Sequence, residues 1–191
     1  MTLKKELLKK PGLYLVTDSG VLKGEDLFDA LSGSLKAGLD MVQFRDKEAS
    51  DADFFKTGLR IKGLLKNKAL FIINDRVCMA LALDADGVHL GSMDMPVETA
   101  RKILGRKKII GFSAGSLEEA LKAQRQAVDY IAIGAIFQTP VKPDYRVAGL
   151  ETLKQAVKKI KIPIVAIGGI NEVNIKEVAL TGVKRIAVVR A

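Results

Sequence analysis

The segment FIINDRVCMALALDADGVHLGSMD, Phe71 to Asp94, decides how the rest of the chain is read. The apolar run from Leu70 to Ile73 predicts a buried strand ending at Asn74 and Asp75. A short helical stretch follows, then a second apolar run from Gly87 to Leu90, then a glycine-containing turn that carries Asp94. Two carboxylates therefore stand just beyond the C-terminal ends of successive strands. If those strands are parallel neighbours, the carboxylates converge on one rim. A pair of oxygen ligands there suits a hard divalent cation such as Mg²⁺, shared with a substrate phosphate. The plainer alternative is that Asp75 and Asp94 each cap the helix that follows.

Outward from this segment the same alternation continues in both directions. Strands are expected at Leu13 to Val16, Met41 to Phe44, Ile109 to Phe112, Tyr130 to Ile133, Ile164 to Ile167 and Arg185 to Val189. Between them lie amphipathic runs: Gly24 to Ala37, Ser50 to about Lys66, Pro96 to Leu104, Ser116 to about Ala127, Leu150 to Ile160, and about Asn174 to Leu180. Ser50 and Ser116 stand where helix N-caps belong. Strands apolar throughout, alternating with amphipathic helices, indicate a parallel sheet covered by helices. Eight such units favour a closed α/β architecture, the (β/α)8 TIM barrel, as a single domain over residues 1–191. Met1 to Lys10 forms a short basic amphipathic helix expected to pack across the bottom. The sequence stops at Ala191, directly after the last strand, so the final helix of a barrel is missing. Truncation would explain this; otherwise the N-terminal helix or a second subunit, as in a homodimer, covers the gap.

Composition narrows the function classes. The 191 residues are 48% hydrophobic and carry a formal charge of +9. That charge would suit an anionic partner, yet aromatics make up only 5%, tryptophan is absent, and no zinc-finger spacing or recognition helix is evident. A phosphorylated small molecule accounts for the surplus without nucleic acid. No apolar run is long enough to cross a bilayer, so no membrane role is expected, and with one cysteine, Cys78, and no export signal the expected compartment is cytoplasmic.

In a barrel of this kind the active site is built at the C-terminal ends of the strands. The polar residues expected there are Gln43, Arg45 and Lys47 after strand two, Asn74 and Asp75 after strand three, and Asp94 after strand four. Ser113 follows strand five, Thr139 and Lys142 lie in the loop after strand six, and Gly168 and Gly169 follow strand seven. Arg45 can hold phosphate oxygens bidentately, Lys47 and Lys142 act as point charges, and the glycine pair lets backbone N–H groups approach a second phosphate. No strong nucleophile or general base is among them, so such a site works by positioning and by stabilising a leaving diphosphate. Each residue also has an ordinary reading: Arg45, Asp46 and Lys47 as a charged turn, Asn74 and Ser113 as caps, the glycines as a tight turn. His89, the only histidine, reads as a hydrogen-bonded structural residue, and Cys78 as core.

The motifs Tyr14 to Asp18 (YLVTD), Gln43 to Lys47 (QFRDK), Ile73 to Val77 (INDRV), Gly87 to Gly91 (GVHLG), Asp94 to Pro96 (DMP), Gly111 to Ala114 (GFSA), Ile136 to Pro140 (IFQTP) with Lys142, and Ala166 to Ile170 (AIGGI) resemble, in order and spacing, the thiamine phosphate synthases. The resemblance implies an Mg²⁺-dependent transferase of thiamine biosynthesis. It would join 4-amino-5-hydroxymethyl-2-methylpyrimidine diphosphate to 4-methyl-5-(2-hydroxyethyl)thiazole phosphate through a carbocation, releasing diphosphate. It implies that Gln43, Phe44, Arg45, Asp46, Lys47, Asn74, Ser113 and Lys142 form the pyrimidine diphosphate site. Arg45, Lys47, Ser113 and Lys142 carry the catalysis, and Asp75 and Asp94 hold Mg²⁺. Thr139, Pro140, Val141, Gly169, Val189 and Arg190 would lie at the thiazole phosphate. The sequence departs from the family pattern at Val141, commonly Thr; at Arg190, usually Ser; at Ser92, usually Gln; and at Ala135, usually Pro. Two rival readings are a thiazole tautomerase of the related barrel family, which has less need of both carboxylates and the Gln-x-Arg-x-Lys set, and a non-catalytic sensor of phosphorylated ligands.

Overall fold

The computed structural model describes residues 3–66, 68–139 and 147–189. Eight strands close into a barrel in chain order: β1 (Gly12–Val16), β2 (Met41–Phe44), β3 (Leu70–Asn74), β4 (Gly87–Leu90), β5 (Ile109–Ala114), β6 (Tyr130–Ile133), β7 (Ile164–Ile167) and β8 (Arg185–Val188). Every neighbouring pair is parallel, and β8 closes on β1 with Leu13 opposite Ile186. The helices are α1 (Leu3–Leu7), α2 (Gly24–Lys36), α3 (Asp51–Leu65), α4 (Val77–Ala82), α5 (Val97–Leu104), α6 (Leu117–Ala123), α7 (Gly149–Lys159) and α8 (Ile175–Ala179). Ser50 caps α3 by accepting from the Asp53 N–H, and Ser116 caps α6 by accepting from the Glu119 N–H, as the capping signals predict.

Strand side chains alternate between two cores because successive residues face opposite sides of the sheet. The outer core lies between barrel and helices and includes Val42, Phe44, Phe54, Ile61, Phe71, Ile73, Val88, Leu90 and Ile131. The inner core fills the lower barrel with Tyr14, Met41, Leu70, Ile72, Ile109, Tyr130 and Val165, sealed from below by Leu8. In the outer layer Phe44 stacks on Phe54 at 4.2 Å between ring centroids. Full burial of one such side chain stabilises the fold by about 1.5–3 kcal/mol.

The bottom is clasped by one buried cation. Arg185, 1% exposed at the start of β8, pairs with Asp40 and donates from Nη2 to the Leu7 carbonyl (2.9 Å) and the Lys10 carbonyl (3.3 Å). The N-terminal helix thus lies across the lower end, as its amphipathic pattern predicts. With this end packed by the inner core and the Arg185 clasp, the open end of the barrel is the opposite one.

Candidate active site

A cavity of about 440 Å³ opens at that opposite end, where the strands finish. Among the residues lining it are Gln43, Arg45, Asn74, Ser113, Thr139, Gly169 and Val189. Seven positions singled out from the sequence therefore meet around one space, although they come from six different strand ends. The parity of β2 explains part of this: Gln43 points inward, Phe44 outward, and Arg45 inward again.

Arg45 is held in place rather than loose. Its Nη1 donates to Asp18 Oδ2 at 2.5 Å, and its backbone N–H donates to Thr17 Oγ1 at 2.9 Å. Both partners of the ion pair are largely shielded, with side chains 18% and 14% exposed. One face of the guanidinium is thus fixed by the loop after β1 while the side chain still lines the cavity.

Asp75 and Asp94 sit side by side at the rim, close enough to share a hydrogen bond. Burial, and then the neighbouring Asp94 carboxyl, push the Asp75 pKa up from 3.8 to about 6, against the opposing charge of Lys47 and a hydrogen bond from Asn74. Neither residue caps a helix: the N-cap of α4 is Arg76 and that of α5 is Pro96, neither with a side-chain cap bond. Asp75 also occupies the left-handed region at φ 59°, a conformation uncommon for a residue with a side chain. Asp94 Oδ2 accepts from the Gly91 N–H at 2.6 Å, which orients its carboxyl back toward the strand end. Among the described residues no cluster of three or more acidic, histidine or cysteine side chains could hold a metal. Two adjacent carboxylates that repel each other, with no softer ligand nearby, fit a hard cation that takes its remaining oxygens from water and phosphate.

Two expected ligand contacts are placed elsewhere. Phe44 is 2% exposed and packed against Phe54 in the outer core, so its side chain faces away from the cavity. Asp46 turns onto its own loop, where Oδ1 accepts from the Glu48 and Ala49 N–H groups at 3.1 Å, as the ordinary charged-turn reading has it. Lys47 is exposed next to the Asp75 carboxyl and outside the cavity lining. Pro140, Val141, Lys142 and Arg190 lie outside the described residues.

The glycine pair after β7 is required by packing as well as by the cavity. A Cβ at Gly169 would fall 2.6 Å from the Gln138 carbonyl oxygen, and one at Gly168 would fall 2.7 Å from Ala135 Cα. Gly168 and Gly169 have positive φ, 98° and 67° respectively, so the loop after β7 can press against the loop after β6 only with glycine there.

Beneath the site lie Tyr14 and Tyr130, whose roles no local signal in the sequence marks, and His89. Tyr14 and Tyr130, fully buried, and His89, 7% exposed, connect Gln43 to Ser113 through the barrel interior. His89 is hydrogen-bonded through both ring nitrogens, to Tyr130 Oη at 2.9 Å and to Ser113 Oγ at 2.8 Å, in line with the structural role expected of it. Asp18, part of the YLVTD motif, anchors Arg45, and Cys78, expected in the core, is exposed on α4.

A closed parallel barrel with its cavity at the C-terminal strand ends, and a carboxylate pair on the same rim, defines a (β/α)8-barrel enzyme. The model of the thiamine monophosphate synthase family matches residues 13–191, and the chain belongs to that family. The chain is 48% identical over 178 residues to the thiamine-phosphate synthase of Clostridium acetobutylicum, covering 93% of this chain and 84% of that protein. It is 47% identical over 180 residues to the thiamine-phosphate synthase of Fusobacterium nucleatum, covering 92% and 87%. Among solved structures, a thiamine phosphate pyrophosphorylase from Pyrococcus furiosus superposes with a TM-score of 0.87 at 43% identity, covering 96% of this chain and 87% of that one.

Proposed function

We propose that the chain is a thiamine phosphate synthase: it transfers the 4-amino-2-methyl-5-pyrimidinylmethyl group from its diphosphate to the ring nitrogen of 4-methyl-5-(2-hydroxyethyl)thiazole phosphate. The observation that carries this reading is the gathering of Gln43, Arg45, Asn74 and Ser113 around one cavity whose rim bears Asp75 and Asp94.

In this reading Arg45, fixed by Asp18, grips the diphosphate, with Lys47 as a further charge at the rim and Lys142 assigned to the same group. Gln43, Asn74 and Ser113 orient the pyrimidine. Thr139, Gly169, Val189 and the adjoining Pro140, Val141 and Arg190 are assigned to the thiazole phosphate. Asp75 and Asp94 would hold Mg²⁺, which when bound supplies positive charge to the diphosphate.

The chemistry needs little else. The bond between the pyrimidine methylene carbon and the diphosphate oxygen breaks, and its electron pair leaves with diphosphate. The thiazole nitrogen then donates its lone pair to that carbon. This nitrogen carries no proton to remove, so no general base is required. That agrees with a cavity whose described carboxylate, Asp18, is committed to Arg45 and whose histidine is already paired on both sides. Charge stabilisation and alignment, rather than a covalent enzyme intermediate, carry such a reaction.

The test is direct. Purified protein with both substrates and Mg²⁺ is expected to form thiamine phosphate and one equivalent of diphosphate. Binding of the pyrimidine diphosphate without product would favour the sensor instead.

A further inference from the structure

Five side chains from five strands form an unbroken line through the barrel: Gln43, Tyr14, Tyr130, His89 and Ser113. Gln43 Nε2 donates to Tyr14 Oη at 2.6 Å; Tyr14 Oη lies 2.9 Å from Tyr130 Oη; Tyr130 Oη lies 2.9 Å from His89 Nδ1; and His89 Nε2 lies 2.8 Å from Ser113 Oγ. With the Gln43 amide nitrogen facing Tyr14, counting protons sets the direction of the remaining links. Each phenol has one hydrogen to give. Tyr14 already accepts from the Gln43 amide, so its own hydrogen goes to Tyr130. The Tyr130 hydrogen then goes to Nδ1 of His89. A neutral imidazole accepting at Nδ1 carries its hydrogen on Nε2 and gives it to Ser113 Oγ. The hydrogen that remains, on Ser113, is directed at the cavity that Ser113 lines.

We propose that Tyr14, Tyr130 and His89 are positioning residues: a one-way hydrogen-bond chain, set at one end by the Gln43 amide, that locks His89 in the Nε2–H tautomer and frees the Ser113 hydroxyl hydrogen to be donated to the bound ligand. Its ligand would be an acceptor atom of the pyrimidine diphosphate, so the functional half rests on the proposed reaction, whereas the tautomer does not.

Two further features make the chain rigid. Gly111 on β5 leaves the space into which the Tyr130 ring fits; a Cβ there would fall 2.1 Å from Tyr130 Cζ. The Tyr130 ring also stacks on His89, 5.4 Å between centroids at 30°, so neither ring can turn alone. Burial also pushes both phenol pKa values well up, which keeps both hydrogens in place. A chain reversed in direction would leave Tyr14 accepting twice and its hydrogen pointing at nothing in a desolvated core, an arrangement disfavoured by the cost of an unmade buried hydrogen bond.

The chain's single histidine gives a clean test. In protein labelled with ¹⁵N at the imidazole, at pH 7.5 and without substrate, the spectrum is expected to show one protonated nitrogen, Nε2, and one unprotonated nitrogen, Nδ1. A proton on Nδ1, an even mixture, or an imidazolium overturns the proposal. Tyr130→Phe removes the middle link and is expected to abolish the tautomer bias, with Tyr14→Phe as the alternative should that variant not fold; an unchanged tautomer in the folded variant also overturns it. Kinetically, Ser113→Ala is expected to lower kcat/KM on the order of tenfold, as one lost hydrogen bond. Tyr130→Phe added to Ser113→Ala should lower it no further, whereas additive losses contradict action through Ser113. Failure of the unsubstituted protein to make thiamine phosphate would remove the proposed reaction and leave the tautomer result to stand or fall by itself.

Discussion

Asp18 Oδ2 lies 2.5 Å from Nη1 of Arg45, and the pair joins the loop after β1 to the cation that lines the cavity from β2. An arginine that must grip a diphosphate loses less freedom on binding if one side of its guanidinium is already tied. Asp18→Ala is therefore expected to lower kcat/KM between about 10- and 100-fold, the range for a misplaced positioning group. Asp18→Glu should recover part of the loss. Steady-state kinetics at saturating thiazole phosphate check this.

The Asp75 carboxyl gives a pH dependence with a definite sign. Its pKa in the fold, about 6, lies above the ordinary value of 3.8 because of burial and the adjacent Asp94. The folded protein therefore binds this proton more tightly than the unfolded chain does. The repulsion costs stability in full above about pH 6 and is relieved as pH falls toward 4. With chelator present, Asp75→Asn should be more stable than the parent at pH 8 by roughly 1 kcal/mol, after allowance for solvent screening of a half-buried group. The difference should vanish near pH 4. Urea unfolding at the two pH values measures it, and the same variant should lose most of its turnover.

Gly111 faces the Tyr130 ring with no room to spare. Gly111→Ala should destabilise the fold by about 1–3 kcal/mol, as for other overpacked cores. It should also disturb the histidine imidazole spectrum, because the displaced ring carries the hydroxyl bonded to His89. Thermal unfolding and the ¹⁵N spectrum report the two effects separately.

At the other end of the barrel, Asp40 pairs with Arg185, whose Nε has no hydrogen-bond partner among the described residues. Asp40→Ala leaves that guanidinium buried with only the carbonyls of Leu7 and Lys10. The expected cost is about 3 kcal/mol, the low end for breaking a buried pair, because Asp40 itself is partly exposed. Tm should fall by roughly 10 °C for a chain of this size. Turnover per folded molecule should be retained, since the clasp lies at the closed end, away from the cavity.

Much of this architecture was legible in the sequence because parallel strands buried on both faces read as unbroken apolar runs. Met41–Phe44, Gly87–Leu90, Tyr130–Ile133 and Ile164–Ile167 have the bounds their patterns predict. β5 runs on to Ala114, two residues past the apolar run, because Ser113 and Ala114 pair with β6. The outward turn of Phe44 follows from its neighbour Gln43 pointing inward, a matter of strand parity that the motif resemblance overrode. The hydrogen-bond chain was not legible. Tyr14 and Tyr130 are 116 positions apart, and only the barrel's closure and register bring their hydroxyls together. Nor does a local pattern mark Asp18 as the partner of an arginine 27 residues on.

In the proposed site, side chains from several strand ends grip one diphosphate through a divalent cation held by Asp75 and Asp94. The decisive assay follows product formation from both substrates with Mg²⁺, and again with excess chelator. Thiamine phosphate is expected with Mg²⁺ and is expected to be lost on chelation, with Asp75→Asn and Asp94→Asn each folded but nearly inactive at limiting Mg²⁺. Undiminished turnover in chelator, or full activity in either variant, would refute a cation bridge at this rim.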